Sequence, residues 1–168
     1  MTQPENVAYL LVPRVSSEKR KYAPIGFMDS NIISSDAVQI IPSATMYHFG
    51  ILTSNVHMAW MRTVCGRLKS DYRYSKEVVY NTFPWPTPTE AQKAKIEHTA
   101  QAILDARAMY LDCSLADLYD EVTMPPELRN AHHLNNRAVW EAYGKKWNIS
   151  SETECVAELM KMYQELTK

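Results

Sequence analysis

The sequence predicts an α+β fold. A small mixed or antiparallel sheet with a helix packed on it occupies residues 1–86, and a small all-helical subdomain occupies residues 87–168. Three observations carry this reading. Short apolar runs closed by proline or polar turns fill the first half and suit strands. Stretches with apolar residues three and four apart fill the second half and suit amphipathic helices. Between them Pro84, Pro86 and Pro88 place three prolines in five residues, which stiffens and exposes the chain at a domain boundary. A chain of 168 residues can bury one compact core, or a sheet-bearing domain and a small helical one.

Residues 1–6 are polar and are expected to fray. Val7-Ala8-Tyr9-Leu10-Leu11-Val12 reads as a buried strand, which Pro13 limits to an edge or a bulge because proline has no N–H for the ladder. Arg14 to Tyr22 is polar and basic and suits a hairpin loop. Ile25-Gly26-Phe27 resumes apolar character, and Val38-Gln39-Ile40-Ile41 reads as another strand closed by Pro42. Tyr47-His48-Phe49-Gly50-Ile51-Leu52 is a short apolar run, also read as a strand. Thr53 or Ser54 then offers a hydroxyl to cap a helix. Val56, Ala59, Trp60 and Val64 make its stripe, widened by Met58 and Met61. Gly66 stands where a left-handed residue ends a helix cheaply. Val78-Val79-Tyr80 reads as a last strand, and Phe83-Pro84-Trp85-Pro86 cannot extend it.

In the second half, Thr87-Pro88-Thr89-Glu90 supplies a capping hydroxyl, a proline at the first helical position and an acid after it. The helix predicted from there reaches about Met109, with Ile96, Ala100, Ile103, Leu104 and Arg107 on its inner face. Ser114 caps a short helix through Tyr119, with Asp117 at the third position. Pro125-Pro126 opens a helix using Leu128, Ala131, Ala138, Val139 and Ala142, and Gly144 ends it. Ser151-Glu152-Thr153-Glu154 is a further capping box. Val156, Leu159, Met160, Tyr163 and Leu166 form the stripe of a last helix.

The formal net charge is only −1, but it is unevenly spread. Residues 1–80 hold nine Lys/Arg against six Asp/Glu, and residues 81–168 hold nine against thirteen, so the halves carry +3 and −4. The basic half contains the most chemically suggestive stretch. From Arg62 to Lys76 five cations (Arg62, Arg67, Lys69, Arg73, Lys76) face one acid, Asp71, with Tyr72 and Tyr74 between them. Lys and Arg neutralise phosphates, and a guanidinium fork pairs with a guanine edge. A carboxylate accepts from a cytosine amino group, and tyrosines stack or bind phosphate. A solvated turn with ordinary surface charge has the same composition, so composition alone leaves both open.

The order of residues says more. Arg14-Val15-Ser16-Ser17-Glu18-Lys19-Arg20, Pro24-Ile25-Gly26-Phe27, Tyr47 to Ser54, Trp60 to Leu68, Ser70 to Ser75 and Val79 to Pro86 together resemble the target-recognition region of the MmeI-like DNA methyltransferases. These are large fused restriction–modification enzymes of type IIG, also called type IIL. Leu115-Ala116-Asp117-Leu118-Tyr119 and Met124-Pro125-Pro126-Glu127-Leu128 resemble their small C-terminal domain. The resemblance covers roughly residues 7 to 144, and its motifs are long enough to be specific.

The resemblance implies a module that reads duplex DNA in sequence-specific fashion for an N6-adenine methyltransferase. Within the matching motif, residue type makes Lys69, Asp71 and Arg73 the expected base readers, because alternate residues of an extended segment share a side. Arg14, Ser16, Ser17, Lys19, Arg62 and Arg67 are expected phosphate or base contacts. The expected partners are double-stranded DNA and the methyltransferase catalytic domain, in the same chain or a separate subunit. S-adenosylmethionine is implied for the full-length protein only. The other reading is a module that docks on the catalytic domain through its aromatic, methionine-rich and acidic surfaces.

No catalytic, cofactor-binding or metal-binding residue is expected in this stretch. Gly26, Gly50, Gly66 and Gly144 are scattered, so no glycine-rich cofactor turn exists. Asn81-Thr82-Phe83-Pro84-Trp85-Pro86 only superficially imitates the Asn-Pro-Pro-aromatic motif that grips a flipped adenine. No Glu-x-Lys nuclease motif occurs. His132 and His133 are adjacent, so on a helix they diverge by about 100° and cannot chelate as an i, i+4 pair. His48 and His57 sit beside apolar residues and are expected in the core or on a strand face. Cys65, Cys113 and Cys155 lack CxxC spacing and read as reduced, semi-buried thiols of a cytosolic protein. Neither a secretory apolar region nor a run of about 20 apolar residues is present, so no membrane partner is expected.

Overall fold

The computed structural model describes residues 9–17, 19–28, 38–41, 44–68, 71–144 and 152–167. The chain is α+β, with helices carrying most of it. Its elements are β1 (Tyr9–Pro13), β2 (Val15–Ser16), β3 (Gly26–Met28), β4 (Val38–Ile41), α1 (Met46–Leu52), α2 (Asn55–Val64), β5 (Gly66–Leu68) and β6 (Asp71–Arg73). A π-helical turn (Lys76–Tyr80) follows, then α3 (Glu90–Ala108), α4 (Leu115–Leu118), α5 (Pro126–Ala142) and α6 (Glu152–Leu166). The strands form two three-stranded antiparallel ladders, ordered β3-β1-β4 and β2-β6-β5. Leu10 opposes Phe27 on one side and Ile41 on the other, and Leu10 and Val12 are fully buried. Val7 and Ala8, expected in the first strand, lie outside the described residues, as do Pro42 and the Ser151 cap.

Three expectations fail for physical reasons. The run Tyr47–Leu52 is helix, not strand. Phe49, Gly50, Ile51 and Leu52 are all buried, so α1 is enclosed and lacks the polar face whose period marks a helix. Val78-Val79-Tyr80 belongs to the π-helical turn, where the Val79 N–H donates to the Ser75 carbonyl at 2.8 Å. Its β-branched residues suit strands, but one buried side chain, Val79, suffices to fix the turn. Gly66 does not end a helix in the left-handed region. Cys65 caps α2 in extended geometry (φ −72°, ψ 157°) and leads straight into β5. In addition, α2 packs mainly on α1, α5, α6 and the π turn rather than on a sheet.

The caps mostly follow hydroxyl chemistry. The Ser54 Oγ accepts from His57 N and opens α2. Thr89, not Thr87, caps α3, because Gln92 closes the box on it: Gln92 N donates to Thr89 Oγ1 and Thr89 N to Gln92 Oε1. Ser114 and Asp117 make the same reciprocal pair on α4. Pro126 opens α5, and Gly144 follows its end at φ 109°, a conformation that suits glycine.

The two halves share one core. A Cβ placed on Gly50 would lie 2.7 Å from Ile96 Cγ2, 3.1 Å from Asn135 Oδ1 and 3.2 Å from Ala100 Cβ, so α1 reaches α3 and α5 at glycine distance. Buried polar groups of α3 and α5 grip the first half mainly by its backbone. The Asn135 amide donates to the Gly50 carbonyl at 2.8 Å, and its oxygen accepts from Thr99 Oγ1 at 3.0 Å. Asn136 accepts from the Asn55 N–H at 3.0 Å and donates to the Tyr22 hydroxyl at 2.8 Å. Arg107 donates to the Ile25 carbonyl at 2.6 Å and twice to the Tyr119 hydroxyl, at 2.9 and 2.6 Å. With two donors already aimed at it, the Tyr119 oxygen sends its own proton to His132 Nε2, 2.7 Å away. Tyr22 stacks on that imidazole with centroids 4.1 Å apart.

Gly50→Ala should destabilise the chain by about 1–3 kcal/mol despite alanine's better helix propensity, because Ile96 and Asn135 must move. Urea unfolding checks this. Burial holds the His57 and His132 imidazoles down to about 3, while the unfolded chain titrates near 6.5. Between those values the unfolded state binds more protons, so stability falls as pH drops from about 6.5 toward 3. Two such histidines give a slope approaching about 2.7 kcal/mol per pH unit. Urea midpoints measured from pH 7 to 4 should show it, and replacing His132 should remove about half.

Candidate nucleic-acid interface

The ladder β2-β6-β5 gathers most of the expected contact residues. Strand β6 is its centre. Val15 opposes Arg73 and Ser16 opposes Tyr72 on one side, while Gly66, Arg67 and Leu68 oppose Arg73, Tyr72 and Asp71 on the other. Burial alternates along β6 as a strand requires: Asp71 is half-buried, Tyr72 buried and Arg73 exposed. Arg14 is exposed one residue before β2, and its carbonyl accepts the Tyr74 N–H at 2.6 Å, so pairing continues past Arg73.

Ser17 and exposed Lys19 stand in the turn after β2. The Lys19 N–H donates to Ser17 Oγ at 3.2 Å and the Arg20 N–H to the Ser17 carbonyl at 3.1 Å. Backbone pairing therefore brings Arg14, Ser16, Arg67, Asp71 and Arg73 onto one small ladder, with Ser17 and Lys19 beside it. Lys69 lies outside the described residues.

Two expectations change here. Tyr72 and Tyr74, considered as base-stacking or phosphate-binding rings, are 9% and 3% exposed and belong to the core. Their alternation with Asp71 and Arg73 is the signal that identifies them as the inward residues. Arg62 is not on the ladder. It ends α2, where Nη1 meets Glu152 of α6 at 2.5 Å and Nη2 donates to the Lys21 carbonyl at 2.6 Å. It thus ties α6 and the turn after β2 to α2.

Sequence reasoning missed the partner that Tyr74 finds. Its hydroxyl lies 3.0 Å from His57 Nε2 on α2. His57 is fully buried, packed edge-on against Phe83 at 4.6 Å. Desolvation lowers the imidazole and raises the phenol, so both stay neutral across the physiological range. A half-buried cluster of Tyr47, His48, Tyr80 and Trp85 lies where the first half meets the prolines, with the Lys93 ammonium 5.7 Å from the Tyr47 ring. Among the described residues no group of three His, Cys, Asp or Glu is placed to hold a metal, and no helix is long and apolar enough to cross a membrane.

Residues 1–87 match the family model described as MmeI, target recognition domain, and residues 88–168 match that described as MmeI, C-terminal domain. The chain belongs to the MmeI family. It is 43% identical over 159 residues to DNA methyltransferase A of Bacillus subtilis (strain 168), a match covering 95% of this chain and 18% of that protein. A solved structure of the type IIL restriction–modification enzyme MmeI in complex with DNA aligns with a TM-score of 0.94 at 50% identity, covering 99% of this chain and 22% of that one. The chain therefore spans about a fifth of the length of these MmeI-family relatives.

The tie at Arg62 makes a structural prediction. Arg62→Ala and Glu152→Ala should each lower stability by less than about 1 kcal/mol, since the Glu152 side chain is half exposed. The double variant should cost little more than either alone. A thermal-unfolding double-mutant cycle measures the coupling.

Proposed function

We propose that this chain is the duplex-DNA recognition module of a site-specific N6-adenine methyltransferase of the restriction–modification type. Residues 1–86 form the recognition domain and residues 87–168 a helical domain that supports it. Methyl transfer from S-adenosylmethionine belongs to the catalytic portion of such an enzyme, and the setting is the cytoplasm. The observation that carries the reading is the β2-β6-β5 ladder. It turns Asp71 and Arg73 outward on one strand while Tyr72 between them and Tyr74 after them enter the core, in a chain whose family members include an enzyme solved on DNA.

In this reading Asp71 and Arg73, with Lys69, reach base edges in the major groove. A carboxylate accepts from cytosine N4 and a guanidinium donates to guanine O6 and N7. Arg14, Ser16, Ser17, Lys19 and Arg67 set register on the phosphates. Arg62 has its structural partners and is left out of the contact set.

A second reading, docking on the catalytic portion, draws on the outer side of the helical domain. A cavity of about 410 Å³ lies between α3 and α5, lined by Ala102, Ala106, Met109, Ala131 and Leu134 with Asp105 and Glu127 at its rim. Met109 and Leu134 are 63% and 50% exposed.

Selection from a duplex library with a randomised core separates the two. The native chain should enrich one sequence. Arg73→Ala or Asp71→Ala should relax the choice at a single base pair by about 1–3 kcal/mol. Arg14→Ala should weaken binding to all sequences and flatten the salt dependence by about one phosphate contact. Equal loss at every position in the Arg73 and Asp71 variants would refute the base-reading role. A native chain that enriches nothing would favour docking.

A further inference from the structure

Strand β6 is only three residues long, and a slip of one residue would exchange its inner and outer faces. Arg73 would then turn inward and Tyr72 outward. Of its ladder partners β5 is as short and β2 is shorter, so ladder pairing alone specifies register weakly. The structure supplies a pin immediately after Arg73. The Tyr74 N–H is bound to the Arg14 carbonyl, and the Tyr74 ring passes through the core to α2, where its oxygen sits 3.0 Å from His57 Nε2. His57 has no other hydrogen-bond partner for its ring among the described residues, and its Nδ1 is buried unpaired. The contact is therefore the one polar tie of a fully buried imidazole. Val79, buried in the π turn five residues on, holds the other side of the exit.

We infer that Tyr74 and His57 are positioning residues for sequence reading: the buried phenol–imidazole hydrogen bond locks the register of β6 on α2, and so fixes which side chains of that strand meet DNA and at what height. This rests on the base-reading role proposed above. The two residues touch no base. They act through Asp71 and Arg73, whose hydrogen bonds to base edges tolerate displacements of only about 0.5 Å. The arrangement leaves the outward side chains of β6 open to variation, because the register depends on neither of them.

The test is the same duplex selection with the 168-residue chain, adding Tyr74→Phe, His57→Gln and His57→Leu. Tyr74→Phe keeps the ring and removes only the hydroxyl. At the base pair relaxed by Arg73→Ala, it should lower the preference for the correct base about tenfold. Its salt dependence and its affinity for random duplex should stay native. His57→Gln carries an amide nitrogen near the former Nε2 and should retain most of the preference, while His57→Leu should lose it.

A merely structural role would weaken binding to all sequences alike, in proportion to the unfolded fraction, and would leave the preference intact. Native preference in Tyr74→Phe, or a uniform loss, overturns the inference. If Tyr74→Phe does not fold, the contrast between the two His57 variants decides, and equal preference in both overturns it. If Arg73→Ala itself relaxes no base pair, the base-reading role fails first, and that result is visible separately from the Tyr74 outcome.

Discussion

The structure depends on how closely α1 approaches the helices behind it. Gly50 lets its backbone lie against Ile96, Ala100 and Asn135, and the Asn135 amide then takes the Gly50 carbonyl inside a buried contact. An unpaired buried carbonyl costs about 1–3 kcal/mol, so Asn135 offsets a penalty that the close packing itself creates. The same logic repeats at each crossing between the halves. Asn136 serves the Asn55 N–H at the start of α2, and Arg107 serves the Ile25 carbonyl before β3. Arg107 is buried without an acid beside it in the described network. Its charge is met by a carbonyl, the Tyr119 hydroxyl, and the faces of Phe49 and Tyr119, with centroids 5.2 and 4.9 Å away. Such a network is costly to disturb piecemeal, because losing one member leaves others unsatisfied.

This clamp explains why so small a ladder can be an ordered surface. An isolated set of two- and three-residue strands has too little pairing to stand alone in water. Here β6 and β5 are joined to a helix whose own face is buried against α1, α5 and α6. Trp60, Met58 and Met61 of α2 are almost wholly buried, and Trp60 donates to Thr82 Oγ1 at 3.3 Å just past the π turn. The ladder inherits its rigidity from the helical core. Its outward side chains contribute little to that core, which is the condition for a surface whose chemistry can differ while the frame persists.

What the sequence made legible follows the strength of local signals. The second half was readable nearly residue by residue. Ser114 with Asp117, Pro126 and Gly144 sit where their capping chemistry places them, and Ile96, Ala100, Ile103 and Arg107 do form the inner face of α3. Errors in the first half arose where tertiary burial overrides local pattern. Four successive buried residues, Phe49 to Leu52, carry no helical period, and Gly50 is a weak helix former whose place in α1 is set by its close approach to α3 and α5. Val78 and Val79 look like strand because their β-branched side chains favour it, yet a turn that buries one and exposes the other satisfies both. Of the candidate site, the shared side of Asp71 and Arg73 was legible from alternation. Arg62 was not, because its partner Glu152 lies 90 residues away. His57 offered no signal beyond its apolar neighbours.

Net charge was the least informative quantity, and the reason is screening. A chain at −1 would repel DNA only if all its charges acted together, yet charges more than about 8 Å apart are largely independent at physiological ionic strength. The acids of the helical half are partly neutralised where they stand: Glu141 meets Lys95 and Arg137, Glu158 meets Lys161, and Glu152 meets Arg62. Around the ladder the exposed charges are mostly cationic, with Arg14, Lys19 and Arg73 against a half-buried Asp71. The local field over that surface is therefore set by a few nearby side chains and not by the total. Among the described residues of β6 itself, Asp71 is the carboxylate and Arg73 the cation. A half-buried carboxylate beside exposed cations lowers the net positive field there, so the charge balance of this ladder is set side chain by side chain and not by the chain's total.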